Sequence, residues 1–126
     1  MERNETDRAG CIEPNIGQNF VDLPWPPREL SPNARKHWSV VAKHKKQYRH
    51  ICELMTKQFK IEPANLVVTL TFYKPSRRHM DLDNCLAMMK SGLDGVADAL
   101  GVNDRDFKLT VTMAEETGGY VRMELK

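Results

Sequence analysis

Apolar residues recur at helical spacing between Leu82 and Leu100. They are separated by steps of 4, 3, 4, 3 and 4, and they are Leu82, Leu86, Met89, Leu93, Val96 and Leu100. This spacing places them on one face of an α-helix, and Gly101 follows where a left-handed cap belongs. The sequence therefore predicts a long amphipathic helix that needs a second layer to cover its apolar face.

The other segments indicate what that layer is. Alternation of apolar and polar residues predicts four strands, over 19–25, 66–73, 107–113 and 120–126. Ser31 and Pro32 predict the start of a basic helix that ends near Lys57. Gly118-Gly119 predicts a turn that makes the last two strands a β-hairpin. We therefore expect an α+β fold: a single domain with a mixed β-sheet of about four strands and two main helices on one face, in the order β-α-β-α-β-β.

Two smaller patterns belong to these helices. The stripe that predicts the first helix consists of Trp38, Val41, Tyr48, Cys52, Met55 and Phe59. In the second helix, Met88, Gly92, Gly95 and Ala99 share the side away from Asp83. Small residues let another backbone approach closely, so this side predicts either a helix contact within the monomer or part of a dimer interface.

The length of 126 residues allows one domain and leaves no room for a second. Residues 1–18 are polar and aperiodic, so we expect a flexible lead before a domain of residues 19–126. No apolar run approaches the roughly 20 residues of a membrane span, and no secretory signal is recognisable. The three cysteines, an odd number, suit neither a disulfide framework nor a zinc site. We therefore expect a cytoplasmic protein with no membrane association.

Charge is unevenly distributed although the net charge is only +2. Seven basic residues and one acid lie between Arg28 and His50, whereas six acids and two basic residues lie between Asp81 and Asp106. Basic clusters of this kind suit the phosphates of DNA. The candidate DNA-binding residues are Arg28, Arg35, Lys36, Lys43, Lys46, Lys74, Arg77 and Arg78. For residues 43–49 a solvated helix face is an equally good interpretation.

The acidic region contains a candidate metal site. Asp81 and Asp83 lie at the entry to the second helix, and Lys90 and Asp94 follow on the same helical edge as Asp83. Asp104 comes after the helix and would have to fold back to reach them. Converging carboxylates suit Mg²⁺ or Mn²⁺. The alternative is that Asp81 or Asp83 caps the helix and the later acids are surface residues.

Several motifs, taken in order, resemble the RusA family of Holliday junction resolvases, the crossover junction endodeoxyribonucleases of phages and prophages. They are Leu23 to Pro27, Leu30 to Arg35, Arg77-Arg78, Asp81 to Asn84, Leu93 to Gly95 and Gly101 to Asp104. The resemblance covers residues 20–126. It implies a metal-dependent homodimeric endonuclease that cuts four-way DNA junctions by paired phosphodiester hydrolysis in recombination and repair, in the cytoplasm of a bacterium or a phage-infected host.

The resemblance also implies roles for individual residues. The family's metal-binding aspartates correspond to Asp81, Asp83 and Asp104, with Mg²⁺ as the cofactor and Mn²⁺ as a possible substitute. The family's lysine, one helical turn after the second aspartate, is replaced here by Ala87. We therefore predict that Lys90, one turn further along the same edge, is the catalytic cation.

Two other functional classes stay open. One is a DNA-junction-binding module with weakened catalysis, which is suggested by Ala87 and by Asn103 at a place where the family often has a second acid. The other is a metal-dependent nuclease that acts on RNA or on another branched substrate, such as a flap.

Overall fold

A computed structural model describes residues 20–59 and 65–125. The strands are β1 (Phe20–Pro24), β2 (Val67–Tyr73), β3 (Lys108–Met113) and β4 (Tyr120–Leu125), and the α-helices are α1 (Trp38–Gln58) and α2 (Leu82–Leu100). Short 3₁₀ helices occupy Arg28–Leu30 and Asp104–Asp106. The predicted α+β class and element order are confirmed. The predicted flexible lead over residues 1–18 lies outside the described residues.

The four strands form one mixed sheet in the order β1-β4-β2-β3. β2 pairs in parallel with β3, whereas β4 pairs antiparallel with both β1 and β2. The predicted hairpin is therefore wrong, because β2 lies between the last two strands. Helix α2 is the crossover that places β3 beside β2. The backbone N–H groups of Gly118 and Gly119 then donate to the carbonyls of Lys74 and Tyr73, both at 2.8 Å, so the chain passes the end of β2 before β4 begins.

The core lies between one face of the sheet and the two helices. Alternate residues of three strands are buried on this face, among them Leu23, Leu70 and Met123, each with no exposed surface. In the predicted stripe of α2, Met89, Leu93 and Val96 are buried, and Leu82, Leu86 and Leu100 are half-buried against the core. Gly101 ends α2 with a φ of 70°, the left-handed conformation that the sequence predicts. Among the described residues, no helix has the length and apolar character needed to cross a bilayer.

The two helices pack closely against each other. Arg49 contacts α2 at Gly95 and Asp98, and Tyr48 and Cys52 lie beside Gly92. A Cβ atom on Gly95 would overlap the carbonyl oxygen of Arg49. The small residues of α2 therefore serve a helix contact within the monomer, which was one of the two interpretations of the pattern.

Helix α1 begins later than Ser31-Pro32 predicts. Ser31 instead forms a local turn, in which its hydroxyl accepts from the N–H of Asn33 at 3.2 Å and its carbonyl accepts from the N–H of Ala34 at 3.0 Å. The helix starts at Trp38, and the Nδ1 atom of His37 accepts from the N–H of Ser39 at 3.2 Å as its N-cap. Trp38, predicted from its spacing to be a core residue, is 75% exposed.

Candidate active site

Asp81 occupies the N-cap position of α2 without using its carboxylate as a cap. Its carbonyl accepts from the N–H of Cys85 at 3.1 Å, and its side chain makes no capping hydrogen bond to a described residue. The side chain is 68% exposed, and its Oδ1 atom lies 3.2 Å from the Nε2 atom of His79. The capping interpretation therefore does not account for the carboxylate of Asp81, which remains accessible to a ligand.

Asp83 lies in the first turn of α2, where a carboxylate stabilises the positive end of the helix dipole. Asp83 and Lys90 are both exposed. They line a groove of about 260 Å³, whose other walls are Leu86, Ala87, Leu93 and Leu109. Two residues of the predicted edge, Asp83 and Lys90, thus border one groove, whereas Asp94 lines a different cavity. No ion pair joins Lys90 to Asp94 in the part of the chain that the structure describes.

Asp104 lies at the opposite end of α2. It lines a cavity of about 170 Å³ with Asp94, Asp98 and Arg49. Asp94 follows Asp83 by eleven residues, which is about 16 Å along the helix axis. Consistent with this separation, residues 20–59 and 65–125 contain no group of three His, Cys, Asp or Glu residues that could hold a metal ion. Within one chain, Asp81 and Asp83 therefore both lie at the start of α2, whereas Asp104 lies beyond its other end.

The charges around Asp104 are partly compensated. Arg49 donates two hydrogen bonds to the carboxylate of Asp98, at 2.6 and 2.9 Å, and this contact lowers the pKa of Asp98. Burial, and then the neighbouring carboxyl group of Asp104, raise the pKa of Asp94. Asp94 and Asp104 thus repel each other when both are ionised, and a bound cation would relieve that repulsion.

The predicted DNA-binding residues differ in their surroundings. All are exposed except Lys74, which is half-buried. Lys74 and Arg77 line a cavity of about 350 Å³ with Glu115 and Glu116. Sequence reasoning missed these glutamates, because only the passage of residues 114–119 around the end of β2 brings them there. Their negative charge weakens the attraction of this part of the surface for phosphate.

Lys74 also lies near the start of α2. Burial raises the pKa of the Cys85 thiol, and the charges of Lys74 and Asp81 act on it in opposite directions. The charged groups of Lys74 and Asp81 therefore both lie near the buried Cys85. The alternation of β2 is the sequence signal for this placement, because Lys74 follows Phe72 by two residues and so continues the helix-covered face of the sheet.

The fold and these residues define a small α+β protein with two exposed aspartates at the entry to a helix. No family model matches the chain. An uncharacterized protein of Xylella fastidiosa, strain Temecula1, is 41% identical over 106 residues, which cover 79% of this chain and 69% of that protein. The chain belongs to the same family as this Xylella protein.

Proposed function

We propose that the chain is a Mg²⁺-dependent endodeoxyribonuclease that resolves four-way DNA junctions by paired phosphodiester hydrolysis in recombination and repair. The observation that carries the proposal is the pair Asp81 and Asp83, whose exposed carboxylates lie two residues apart at the start of α2. The resemblance of the surrounding motifs to the RusA family supplies the choice of substrate. The exposed basic residues supply the affinity for phosphate that any such enzyme needs.

The donor atoms present suit the proposed cofactor. Asp81 and Asp83 offer the hard oxygen ligands that Mg²⁺ and Mn²⁺ prefer, and neither carboxylate is tied up by a capping bond to a described residue. A bound Mg²⁺ ion would lower the pKa of the attacking water and neutralise charge on the phosphate. Lys90 is proposed to stabilise the negative charge that develops on the phosphate during the reaction.

Asp104 requires a second copy of the chain if it is to join this pair. In an antiparallel pair of α2 helices, a twofold axis across the middle brings the start of one helix close to the end of the other. The groove beside Asp83 is suited to such a contact, because its walls are largely apolar and Leu109 is 40% exposed on the edge strand β3. We therefore propose a homodimer in which Asp104 of the partner subunit completes each metal site.

The homodimer predicts a sedimentation mass of twice 14.5 kDa at micromolar protein concentration. It also predicts that Asp83→Asn and Asp104→Asn proteins, each inactive alone, regain cleavage when they are refolded together. In the mixed dimer one of the two sites has all three aspartates. The mixed dimer should therefore nick only one strand of the junction, because its second site lacks two of the three aspartates.

Two results would contradict the dimer prediction. The first is an active wild-type protein that sediments near 14.5 kDa. The second is a mixture that stays inactive although tagged subunits prove that mixed dimers have formed. Refolding Asp83→Asn with Asp81→Asn is the matched control, since both changes lie in the same half of the site and no intact site can form.

Lys90→Ala is expected to lower the single-turnover rate of junction cleavage by roughly 10²-fold, the low end for the loss of one electrostatic donor. Junction affinity should change little, because one phosphate contact among many is removed, and Lys90→Arg should restore part of the rate. Lys108→Ala, which removes an exposed lysine from outside the groove, is the control. A normal rate for Lys90→Ala would shift the role to Lys74, Arg77 or Arg78, which lie around the same helix entry.

The experiment that tests the proposed function compares a mobile four-way junction with linear duplex, flap and RNA substrates, with and without Mg²⁺. Selective, Mg²⁺-dependent cleavage of the junction is the expected result.

A weakened junction-binding module is the second candidate, and the isolation of Asp104 within one chain favours it. That candidate predicts tight junction binding with no cleavage in any divalent metal. Preferential cleavage of flap or RNA would assign the same metal chemistry to another substrate.

A further inference from the structure

The first part of α1 lies largely in solvent. Eight of residues 38–47 are exposed, Val41 and His44 are half-buried, and Tyr48 is the first buried residue of the helix. Val41 packs against the edge of the core. We call residues 38–47 the projecting segment, which is ten residues long, or about 15 Å.

The projecting segment carries only positive formal charge. No Asp or Glu occurs between Glu29 and Glu53. The basic residues on and just before the segment are all exposed, and they are Arg35, Lys36, Lys43, Lys45 and Lys46. None of these five forms an ion pair with a described residue. A helix with this charge attracts a polyanion and repels a second copy of itself placed alongside.

Trp38 lies at the tip of the projecting segment and leaves a large aromatic surface in water. Its side chain is 75% exposed, the highest value among the large apolar residues of residues 20–59 and 65–125. The neighbouring His37 ring lies 5.4 Å away, centroid to centroid, at an interplanar angle of 34°. Two contacts to Ser39 hold that imidazole, with Nδ1 3.2 Å from the backbone N and 2.7 Å from Oγ. The tip therefore presents an open indole beside a positioned imidazole and several cations.

We propose that Trp38 stacks on an unpaired DNA base, at the point where strands separate in a branched substrate, while lysines of the projecting segment contact the flanking phosphates. Aromatic side chains interleaved with cations are the usual means of binding single-stranded DNA, because every base offers a π face. This inference rests on the proposed function for its choice of DNA as the partner. It adds the part of the substrate that is recognised and the residue that recognises it.

The test compares Trp38→Leu with wild type for binding to an oligo-dT strand of about 20 nucleotides and to a four-way junction, both in EDTA so that no cleavage occurs. Leucine keeps an apolar side chain and removes the π face. We expect affinity for both ligands to fall roughly 5- to 100-fold, the range for the loss of one stacked base. Trp38→Phe should retain most of the affinity. The dependence of affinity on salt should be unchanged, because every phosphate contact stays in place.

The double variant Lys43→Gln, Lys46→Gln is the matched control on the same segment. It should lower affinity through charge, and the slope of log K against log salt should fall by about one for each phosphate that the protein no longer neutralises. A second readout uses Trp25→Phe. The chain has 2 tryptophans, so this variant keeps Trp38 alone. Emission from Trp38 should then be quenched as oligo-dT saturates the protein.

Three results would overturn the proposal: wild type that binds neither ligand, Trp38→Leu that binds as tightly as wild type, and Trp38→Leu that sediments as a smaller assembly than wild type. The last would mean that a second copy of the chain covers the indole. Failure of the proposed function gives a different result, because a protein that binds through Trp38 but never cuts with Mg²⁺ would refute the nuclease and uphold the stacking contact. Trp38→Leu is expected to fold normally, since so little of the side chain is buried.

Discussion

Asp83→Asn is expected to abolish cleavage of a four-way junction while junction binding stays within a few-fold of wild type. The carboxylate serves the metal, whereas affinity for DNA comes from the exposed basic residues. Asparagine has nearly the same shape but carries no charge, so the fold should be unaffected at this exposed position. Single-turnover cleavage in Mg²⁺ and a binding titration in EDTA measure the two properties separately. Asp81→Asn and Asp104→Asn should behave in the same way.

Asp106→Asn is the matched control for these variants. Asp106 is exposed in the same 3₁₀ helix as Asp104, and we expect its carboxylate to be a surface group, so its loss should leave cleavage unchanged. If purified Asp83→Asn cut a junction at nearly the wild-type rate, the assignment of the metal site to Asp81 and Asp83 would be wrong.

Gly95→Val is expected to prevent stable folding. The added Cβ would overlap the carbonyl oxygen of Arg49 and come within 3.1 Å of the backbone nitrogen of Glu53. These are backbone atoms of α1, so no side chain can move aside and the two helices must separate. The cost should exceed about 4 kcal/mol, a large part of the roughly 5–15 kcal/mol that stabilises a domain of this size. Urea denaturation followed by far-ultraviolet circular dichroism measures it.

Gly101→Ala is the comparison that separates steric overlap from backbone strain. Gly101 has a φ of 70°, but a Cβ there would meet nothing within 4 Å. Alanine should therefore cost only about 1–2 kcal/mol, through the left-handed conformation alone. A Gly95→Val protein with the same denaturation midpoint as wild type would show that α1 and α2 are not packed as described.

Local sequence patterns predicted the elements whose boundaries depend on local chemistry. Helix α2 is one, because an amphipathic stripe and a left-handed glycine cap each act within a few residues. The start of α1 was predicted wrongly. Ser31 accepts hydrogen bonds within a local turn, and His37 caps the helix instead. Both residues can accept hydrogen bonds near a helix start, and the sequence pattern does not determine which one is used.

Pairings between distant segments were harder to predict. Gly118-Gly119 favours a hairpin locally, but β3 is already held parallel to β2 by α2, so β4 takes the other side of β2. Trp38 fits the apolar period of α1, yet it is exposed because no described element packs over it. Asp104 would have to fold back to reach Asp83, and it lies instead just beyond the far end of α2. In each case the outcome depends on where a segment distant in sequence lies.

The proposed activity is tested most directly by mapping the cuts that wild-type protein makes in a four-way junction. Each of the four strands is labelled in turn at its 5′ end, and the products are resolved after a single turnover in Mg²⁺ or in EDTA. We expect cuts in two opposite strands at symmetric positions near the branch point, in Mg²⁺ only, with a linear duplex of the same sequence left intact. An uncut junction in Mg²⁺ and Mn²⁺, or equal cutting of the linear duplex, would contradict the proposed activity.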